Sequence, residues 1–180
     1  MSDITEKIIA FYSQVKDDKN HRYRSWEHCY EYFTGGEVEA KIACLHLAFY
    51  LASWGMYRGS SFLLWKDYLV HEKVVEKLLE SENRRFLALE DPDLAAGVIE
   101  LIAEIKEIYS RCGPINGEVR EVEASDTLVS KILLGTLGCT PAFDRYFIDG
   151  MREKNLAYSG IKIDNFKQVV ECYTENRTAF

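Results

Sequence analysis

Apolar residues recur every three or four positions along most of the chain, which is the spacing of one buried face of an α-helix. The spacing is clearest over residues 91–111, where glutamates take the opposite face. The same period marks residues 4–15, 26–33, 68–79, 127–137, 142–151 and 166–173. Alternation with period two is nearly absent. We therefore predict an all-α bundle of about seven or eight helices that forms a single helical domain over residues 1–180.

Residues 38–54 differ from the other helical segments because they are apolar on almost every side. In a globular protein this pattern predicts a helix surrounded by other helices. We therefore expect it to be the central helix, with Leu45 and Phe49 buried. The stripe of residues 91–111 adds Leu101, Ile102 and Ile105 to the predicted core.

Composition narrows the classes of protein that remain. The 22 Lys and Arg face 29 Asp and Glu, for a net charge of −7, which excludes a polycationic DNA coat but not a local basic patch. The apolar run over residues 42–56 is interrupted and shorter than the ~18 residues of a membrane span. With no secretory signal at the N-terminus, we expect a cytoplasmic protein. Five scattered cysteines without a Cys-x-x-Cys pair predict free thiols, and neither a metal nor another cofactor is expected.

The segment 54–61 breaks the helical pattern and carries the first candidate binding site. Arg58 lies between Gly55 and Gly59, and Ser60 or Ser61 is placed to cap the next helix. A guanidinium beside the amides of a helix N-terminus favours an anion. The structural alternative is a capped helix joint in which Arg58 pairs with a carboxylate.

A second candidate lies in residues 21–30, which place two arginines among large aromatic residues. Arg24 and Trp26 are its predicted ligand-binding residues, with Ser25 predicted as the N-cap of the helix over residues 26–33. Arginine and aromatic faces together can stack on a nucleobase. A structural packing cluster at the start of a helix is the alternative.

The third candidate spans residues 130–147, where Gly138 is predicted to end one helix and Thr140-Pro141 to begin the next. This tight helical hairpin resembles the helix–hairpin–helix region of divergent DNA glycosylases, with a Ser-Lys-x-Leu helix, a short turn with proline and an aspartate soon after. The resemblance implies a lysine that attacks the sugar C1′, an aspartate that positions or activates that attack, and hairpin amides that bind a DNA phosphate. By matching positions, these are Lys131 and Asp144.

The turn itself reads Leu137-Gly138-Cys139-Thr140-Pro141, where that family usually has Leu-Pro-Gly-x-Gly. The family lysine ordinarily lies on the hairpin, whereas Lys131 lies upstream in the first helix. A structural alternative is available for both residues, because Lys131 fits a solvated helix position and Asp144 complements the N-terminus of the following helix.

Three classes of function remain compatible with these motifs, and the first is favoured over the second. The first is a binding module that recognises an anionic small molecule, a nucleotide or a protein partner. The second is a nucleic-acid-processing protein of the DNA glycosylase type. The third is a helical subunit of a larger assembly, including a homo-oligomer. Convergence of Arg58, Lys131, Asp144 and Arg145 on one pocket would favour the enzyme, and Arg145 is therefore added to the candidate ligand-binding residues.

Overall fold

Helices account for most of the computed structural model, which describes residues 3–87, 91–119, 121–153 and 158–179. Within these ranges there are eight α-helices: α1 (Asp3–Val15), α2 (Arg24–Thr34), α3 (Ala40–Ser53), α4 (Glu72–Leu79), α5 (Ala95–Ser110), α6 (Asp126–Thr136), α7 (Arg145–Glu153) and α8 (Ile163–Glu175). Short 3₁₀ helices cover Phe62–Trp65, Tyr68–His71, Asn83–Phe86, Pro92–Leu94 and Arg177–Ala179. The described residues form no strand, and their one isolated bridge joins Ile115 and Glu118. The prediction of an all-α fold is confirmed.

The core lies between α3, α5 and α6. Helix α3 packs against α2, α4 and α6, while α5 packs against α4, α6 and α8. One continuous cluster of buried side chains connects these helices, and none of the described side chains of α1 belongs to it. None of the helices in the described ranges is long and apolar enough to cross a membrane.

The prediction for α3 is confirmed in its central position but wrong in the face that is buried. Leu47 and Leu51 are fully buried, whereas Leu45 is 44% exposed and Phe49 is 64% exposed. Because α3 is apolar on nearly every side, its pattern does not select one face for the core. The predicted burial of Leu101, Ile102 and Ile105 is confirmed.

The helical hairpin forms, but its second helix begins later than predicted. Helix α6 ends at Thr136, and Gly138 follows with a φ of 64°, its amide donating to the carbonyl of Leu133 at 2.9 Å. The next helix, α7, begins at Arg145 and not at residue 142. Asp144 sets this start, because its carboxylate accepts hydrogen bonds from the amides of Tyr146 at 3.1 Å and Phe147 at 3.2 Å.

Two serines predicted as helix caps behave differently from each other. Ser25 lies within the first turn of α2, where its hydroxyl donates to the carbonyl of Arg22 at 2.7 Å, so the prediction that it caps α2 is wrong. Ser61 does cap, since its hydroxyl accepts from the amide of Leu63 at 3.3 Å. The element that it caps is the four-residue Phe62–Trp65 3₁₀ helix and not an α-helix.

Candidate functional site

Lys131 and Asp144 meet at the hairpin. The Nζ of Lys131, on α6, lies 3.9 Å from the Oδ2 of Asp144, which immediately precedes α7. The Lys131 side chain is 6% exposed and that of Asp144 is 26% exposed. The same Nζ donates to the carbonyl of Trp54 at 3.2 Å and lies 5.7 Å from the centre of the Trp54 ring. A buried amine therefore lies between a carboxylate and an aromatic ring.

Two hydroxyl groups on α6 hold Asp144 over this helix. Ser130 accepts a hydrogen bond from the amide of Phe143 at 2.8 Å, and Thr127 donates to the carbonyl of Phe143 at 2.9 Å. Ser130 is the neighbour of Lys131 in the chain, and Phe143 is the neighbour of Asp144. The two bonds therefore fix the approach of the carboxylate to the amine.

Gly135 brings the end of α3 close to α6. A Cβ at this position would overlap the ring of Tyr50, which is fully buried on α3. The glycine thus allows α3 to approach closely, and Trp54, which follows that helix, lies against Lys131. Any larger side chain at position 135 would push the two helices apart.

The electrostatic surroundings favour the neutral form of the Lys131 amine. Burial lowers the pKa of Lys131; the charge of Asp144 opposes this change, while the charges of Arg58 and Arg22 lower the pKa further. The net result is a pKa below the usual range of lysine. A larger fraction of the amine is therefore unprotonated near neutral pH than for a solvated lysine, which is what a nucleophilic amine requires.

Arg22 and Arg58 are the two cations that surround this lysine. The guanidinium of Arg22 lies 5.3 Å from the centre of the Tyr23 ring and 5.5 Å from that of Trp54. The guanidinium of Arg58 lies against Gly55, which has a φ of 76° and whose added Cβ would stand 2.9 Å from the Arg58 Nε. Neither arginine lies within 4.0 Å of a carboxylate oxygen among the described residues.

A cavity of about 700 Å³ contains the first predicted binding motif. Its walls include Arg58, Gly59, Ser60 and Ser61, as well as Leu128 of α6. Glu121 and Glu123 also line this cavity. Arg58 thus shares the cavity with two carboxylates, which weaken its attraction for a small free anion.

A smaller cavity of about 250 Å³, the aromatic cavity, contains residues of the second predicted motif. It is lined by Tyr23, Trp26 and Trp54, by Leu134 of α6, and by side chains of α1 that include Phe11 and Tyr12. Lys131 lies three positions from both Leu128 and Leu134, each of which lines one of the two cavities, but Lys131 itself lines neither.

The predicted binding residues Arg24 and Trp26 both line the aromatic cavity, but their polar groups are engaged. Arg24 forms an ion pair of 2.6 Å with Glu27, which raises the pKa of Arg24 through a hydrogen bond. Trp26 donates its Nε1 to the carbonyl of Leu134 at 3.1 Å. Both residues therefore contribute walls to the cavity, with Arg24 neutralised by its neighbour.

Arg145 does not join the other candidates. Its side chain is 88% exposed, and its Nε lies 3.7 Å from the Oδ2 of Asp149, one turn later in α7. It lines neither of the two cavities. Of the four residues whose convergence on one pocket was in question, Lys131 and Asp144 pair with each other, Arg58 alone lines one of the two cavities, and Arg145 lies apart.

The sequence pattern does not identify four residues as members of the site: Arg22, Trp54, Thr127 and Ser130. Arg22 and Trp54 lie inside the two motifs singled out above, but the pattern does not distinguish them from their neighbours. Thr127 lies three positions before Ser130 and four before Lys131, and this spacing on α6 is a signal that Thr127 shares a face with each of them.

No model of a known protein family, no curated protein and no solved structure matches this chain. Among the described residues, no group of three or more histidine, cysteine, aspartate or glutamate side chains is arranged to hold a metal ion. The candidate chemistry of the site is therefore argued from its own residues: an amine of lowered pKa, a carboxylate, two arginines and an aromatic cavity.

Proposed function

We propose that this protein is a lysine-dependent enzyme that acts on a nucleotide within a nucleic acid, in the manner of a DNA glycosylase. The observation that carries the proposal is the distance of 3.9 Å between the buried Nζ of Lys131 and the Oδ2 of Asp144. The structural alternative places Lys131 in solvent, whereas its side chain is 6% exposed. The resemblance of residues 130–147 to the hairpin region of those enzymes adds support.

The chemistry begins with the neutral amine of Lys131. Its lone pair forms a bond to C1′ of the sugar, while the bond between C1′ and the base nitrogen breaks and its electron pair leaves with the base. The nitrogen of Lys131 then carries a proton in excess, and the carboxylate of Asp144 is the nearest group that can accept it. Opening of the sugar ring converts the C1′ adduct into a Schiff base, which borohydride reduces to a stable amine.

The aromatic cavity supports the choice of a nucleotide as the reacting group. Enzymes that act on a base remove it from the stack and hold it against aromatic side chains. Tyr23 and Trp54 supply such faces, with their ring centres 4.8 Å apart. Because the Lys131 side chain is 6% exposed, entry of a sugar requires that a neighbouring side chain, such as Trp54, moves aside.

Borohydride trapping tests the proposal. The full chain is incubated with DNA duplexes that carry an abasic site or a damaged base, and the reduced complex is resolved on a denaturing gel. We expect a covalent complex with the wild-type chain and none with Lys131→Ala. Lys41→Ala is the matched control, since Lys41 is an exposed lysine of α3 and its removal leaves the trapped complex unchanged.

Two results would contradict the proposal. A complex that persists undiminished in Lys131→Ala would exclude Lys131 as the nucleophile. Failure of the wild-type chain to form a complex on any damaged or abasic substrate would overturn the enzymatic function.

A second candidate function, that of a binding module for a nucleotide or another anionic small molecule, is favoured by a different observation. Arg58 lines the cavity of about 700 Å³ and has no carboxylate within 4.0 Å in the described part of the chain. In this case nucleotides or inorganic phosphate raise the melting temperature of the wild-type chain, and Arg58→Ala weakens the effect. Absence of a shift with every anion would leave the 54–61 segment as a structural joint.

A further inference from the structure

Arg22 and Arg58 have no carboxylate oxygen within 4.0 Å in the described part of this acidic chain. The chain has 29 Asp and Glu against 22 Lys and Arg, so an unpaired arginine has many potential partners. Many other cations are paired: Arg24 with Glu27, Lys77 with Glu80 and Glu104, Lys106 with Asp126, Arg111 with Glu107, and Arg145 and Arg152 with Asp149. Arg84 and Arg85 also have no such carboxylate among the described residues, but Arg22 and Arg58 lie beside Trp54 and Gly55, next to Lys131.

Each of these arginines has a support that leaves its donors free. The rings of Tyr23 and Trp54 lie beside Arg22, and a ring face attracts the guanidinium without occupying its N–H groups. Arg58 lies against Gly55, where the absence of a Cβ makes room for its guanidinium. A guanidinium held in this manner presents a fork of donors that matches a phosphate.

The two arginines also approach Lys131 from different surroundings. Arg58 lines the larger cavity, whereas Tyr23 and Trp54, which support Arg22, line the aromatic cavity. Lys131 contacts the carbonyl and the ring of Trp54, which is the neighbour of Gly55 in the chain. A ligand that reaches both arginines therefore brings negative charge close to the amine.

We propose that Arg22 and Arg58 bind two backbone phosphates of a nucleic acid, one on each side of the nucleotide presented to Lys131. The inference rests on the proposed function for the identity of the reacting nucleotide. Two phosphates joined through a nucleoside satisfy both arginines at once. A free phosphate or a mononucleotide satisfies only one.

The experiment separates binding from chemistry. Fluorescence anisotropy measures the Kd of the full chain for a labelled duplex that contains a tetrahydrofuran site, an abasic analogue that has no C1′ hydroxyl and forms no Schiff base. The variants are Arg22→Ala, Arg58→Ala, Lys131→Ala and, as matched control, Arg111→Ala, whose side chain is 75% exposed and paired with Glu107. Inorganic phosphate and a mononucleotide serve as competitors, and thermal melting checks that each variant is folded.

We expect Arg22→Ala and Arg58→Ala each to raise the Kd by about tenfold, and the double variant by more. Each substitution also lowers the slope of log Kd against log salt concentration by about 1. Arg111→Ala retains binding within a few fold, and Lys131→Ala raises the Kd by less than either of the substitutions at Arg22 and Arg58. Phosphate and mononucleotide compete only at much higher concentration than an unlabelled duplex.

The proposal is overturned if the two arginine variants bind as the wild-type chain does, if Arg111→Ala weakens binding equally, or if the wild-type chain does not bind the duplex. Its failure is distinct from that of the proposed enzymatic function. Binding that depends on both arginines without any borohydride adduct on abasic DNA leaves the phosphate contacts standing and removes the enzyme. An adduct that forms while both arginine variants keep the wild-type affinity leaves the enzymatic function standing and removes the phosphate contacts.

Discussion

Two lysine–aspartate pairs involve helix α6, and they differ in almost every physical respect. Lys106 of α5 lies 2.5 Å from the Oδ1 of Asp126, the first residue of α6. The second oxygen of Asp126 accepts from the Tyr158 hydroxyl at 2.8 Å and from the Ile161 amide at 2.9 Å. Burial alone would raise the pKa of Asp126, but these hydrogen bonds outweigh it and the pKa is lowered. This pair joins α5 and α6 to the segment before α8.

The pair formed by Lys131 and Asp144 is incomplete by comparison. Its separation of 3.9 Å exceeds a hydrogen bond, and Asp144 uses its Oδ1 to cap α7. Lys131 is more buried than Lys106, at 6% against 36% side-chain exposure. In the Lys106–Asp126 pair both carboxylate oxygens have partners, and the pair is a structural joint. In the Lys131–Asp144 pair the amine is buried and only partly paired, and the pair is a candidate reactive site.

The largest expected effect distinguishes the two lysines. Lys131→Ala removes the proposed nucleophile, so we expect the rate of covalent trapping on abasic DNA to fall by at least about 10³-fold. Lys106→Ala should retain the wild-type rate for the fraction of protein that is folded. Single-turnover trapping, normalised by circular dichroism, measures both. Equal loss in a folded Lys106→Ala variant would remove the distinction between the pairs.

The two aspartates should separate activity from stability. Asp144→Asn keeps an oxygen that caps α7 and loses the charge beside Lys131, so we expect trapping to slow by about 10²-fold with little change in melting temperature. The corresponding variant of the structural pair, Asp126→Asn, supplies the comparison. Unchanged trapping in Asp144→Asn would show that the carboxylate has no part in the reaction.

Stability should respond mainly to the structural pair. Asp126→Ala leaves Lys106, Tyr158 and the Ile161 amide without their acceptor, and we expect a loss of about 2–3 kcal/mol in the free energy of unfolding. Because the pKa of Asp126 is lower in the folded state, its contribution is present above its unfolded pKa and is lost as the pH falls through the folded value. Urea titration at pH 7 and pH 3 measures both. A loss below about 0.5 kcal/mol at pH 7 would contradict the structural role.

The smallest expected effects are shifts in the pH dependence of trapping. The rate rises as Lys131 loses its proton, with a midpoint below the usual pKa of lysine because burial lowers that pKa. The charge of Asp144 opposes this lowering, so Asp144→Asn moves the midpoint to lower pH. The charge of Arg58 adds to it, so Arg58→Ala moves the midpoint to higher pH. Shifts in the opposite directions would show that another group controls the rate.

Much of the fold follows from periodicity, because helices with one apolar face have few ways to bury it. The stripe of α5 and the turn at Gly138 lie where the pattern predicts. The buried face of α3 is not where the pattern predicts. Because this helix is apolar all round, its pattern allows Leu45 and Phe49 as core residues, but both are exposed. The predicted start of α7 at residue 142 was wrong because the carboxylate of Asp144, and not the Thr140-Pro141 pair, caps this helix.

The candidate site was predictable in part. Lys131 and Asp144 are singled out by the hairpin motif, and the structure brings them together, while their catalytic role stays a prediction. Which arginine remains unpaired is not visible in the pattern, because it depends on tertiary neighbours. Arg145 meets Asp149 on its own helix, whereas Arg22 meets Trp54, which is 32 positions away in the chain.

The measurement that tests the central claim most directly is the location of the reduced adduct. The wild-type chain is trapped with borohydride on abasic DNA, the DNA is digested, and the peptides are sequenced by mass spectrometry. We expect the added mass on one peptide, at Lys131. An adduct on another lysine or on the amino terminus, or one spread over several lysines, would contradict the account.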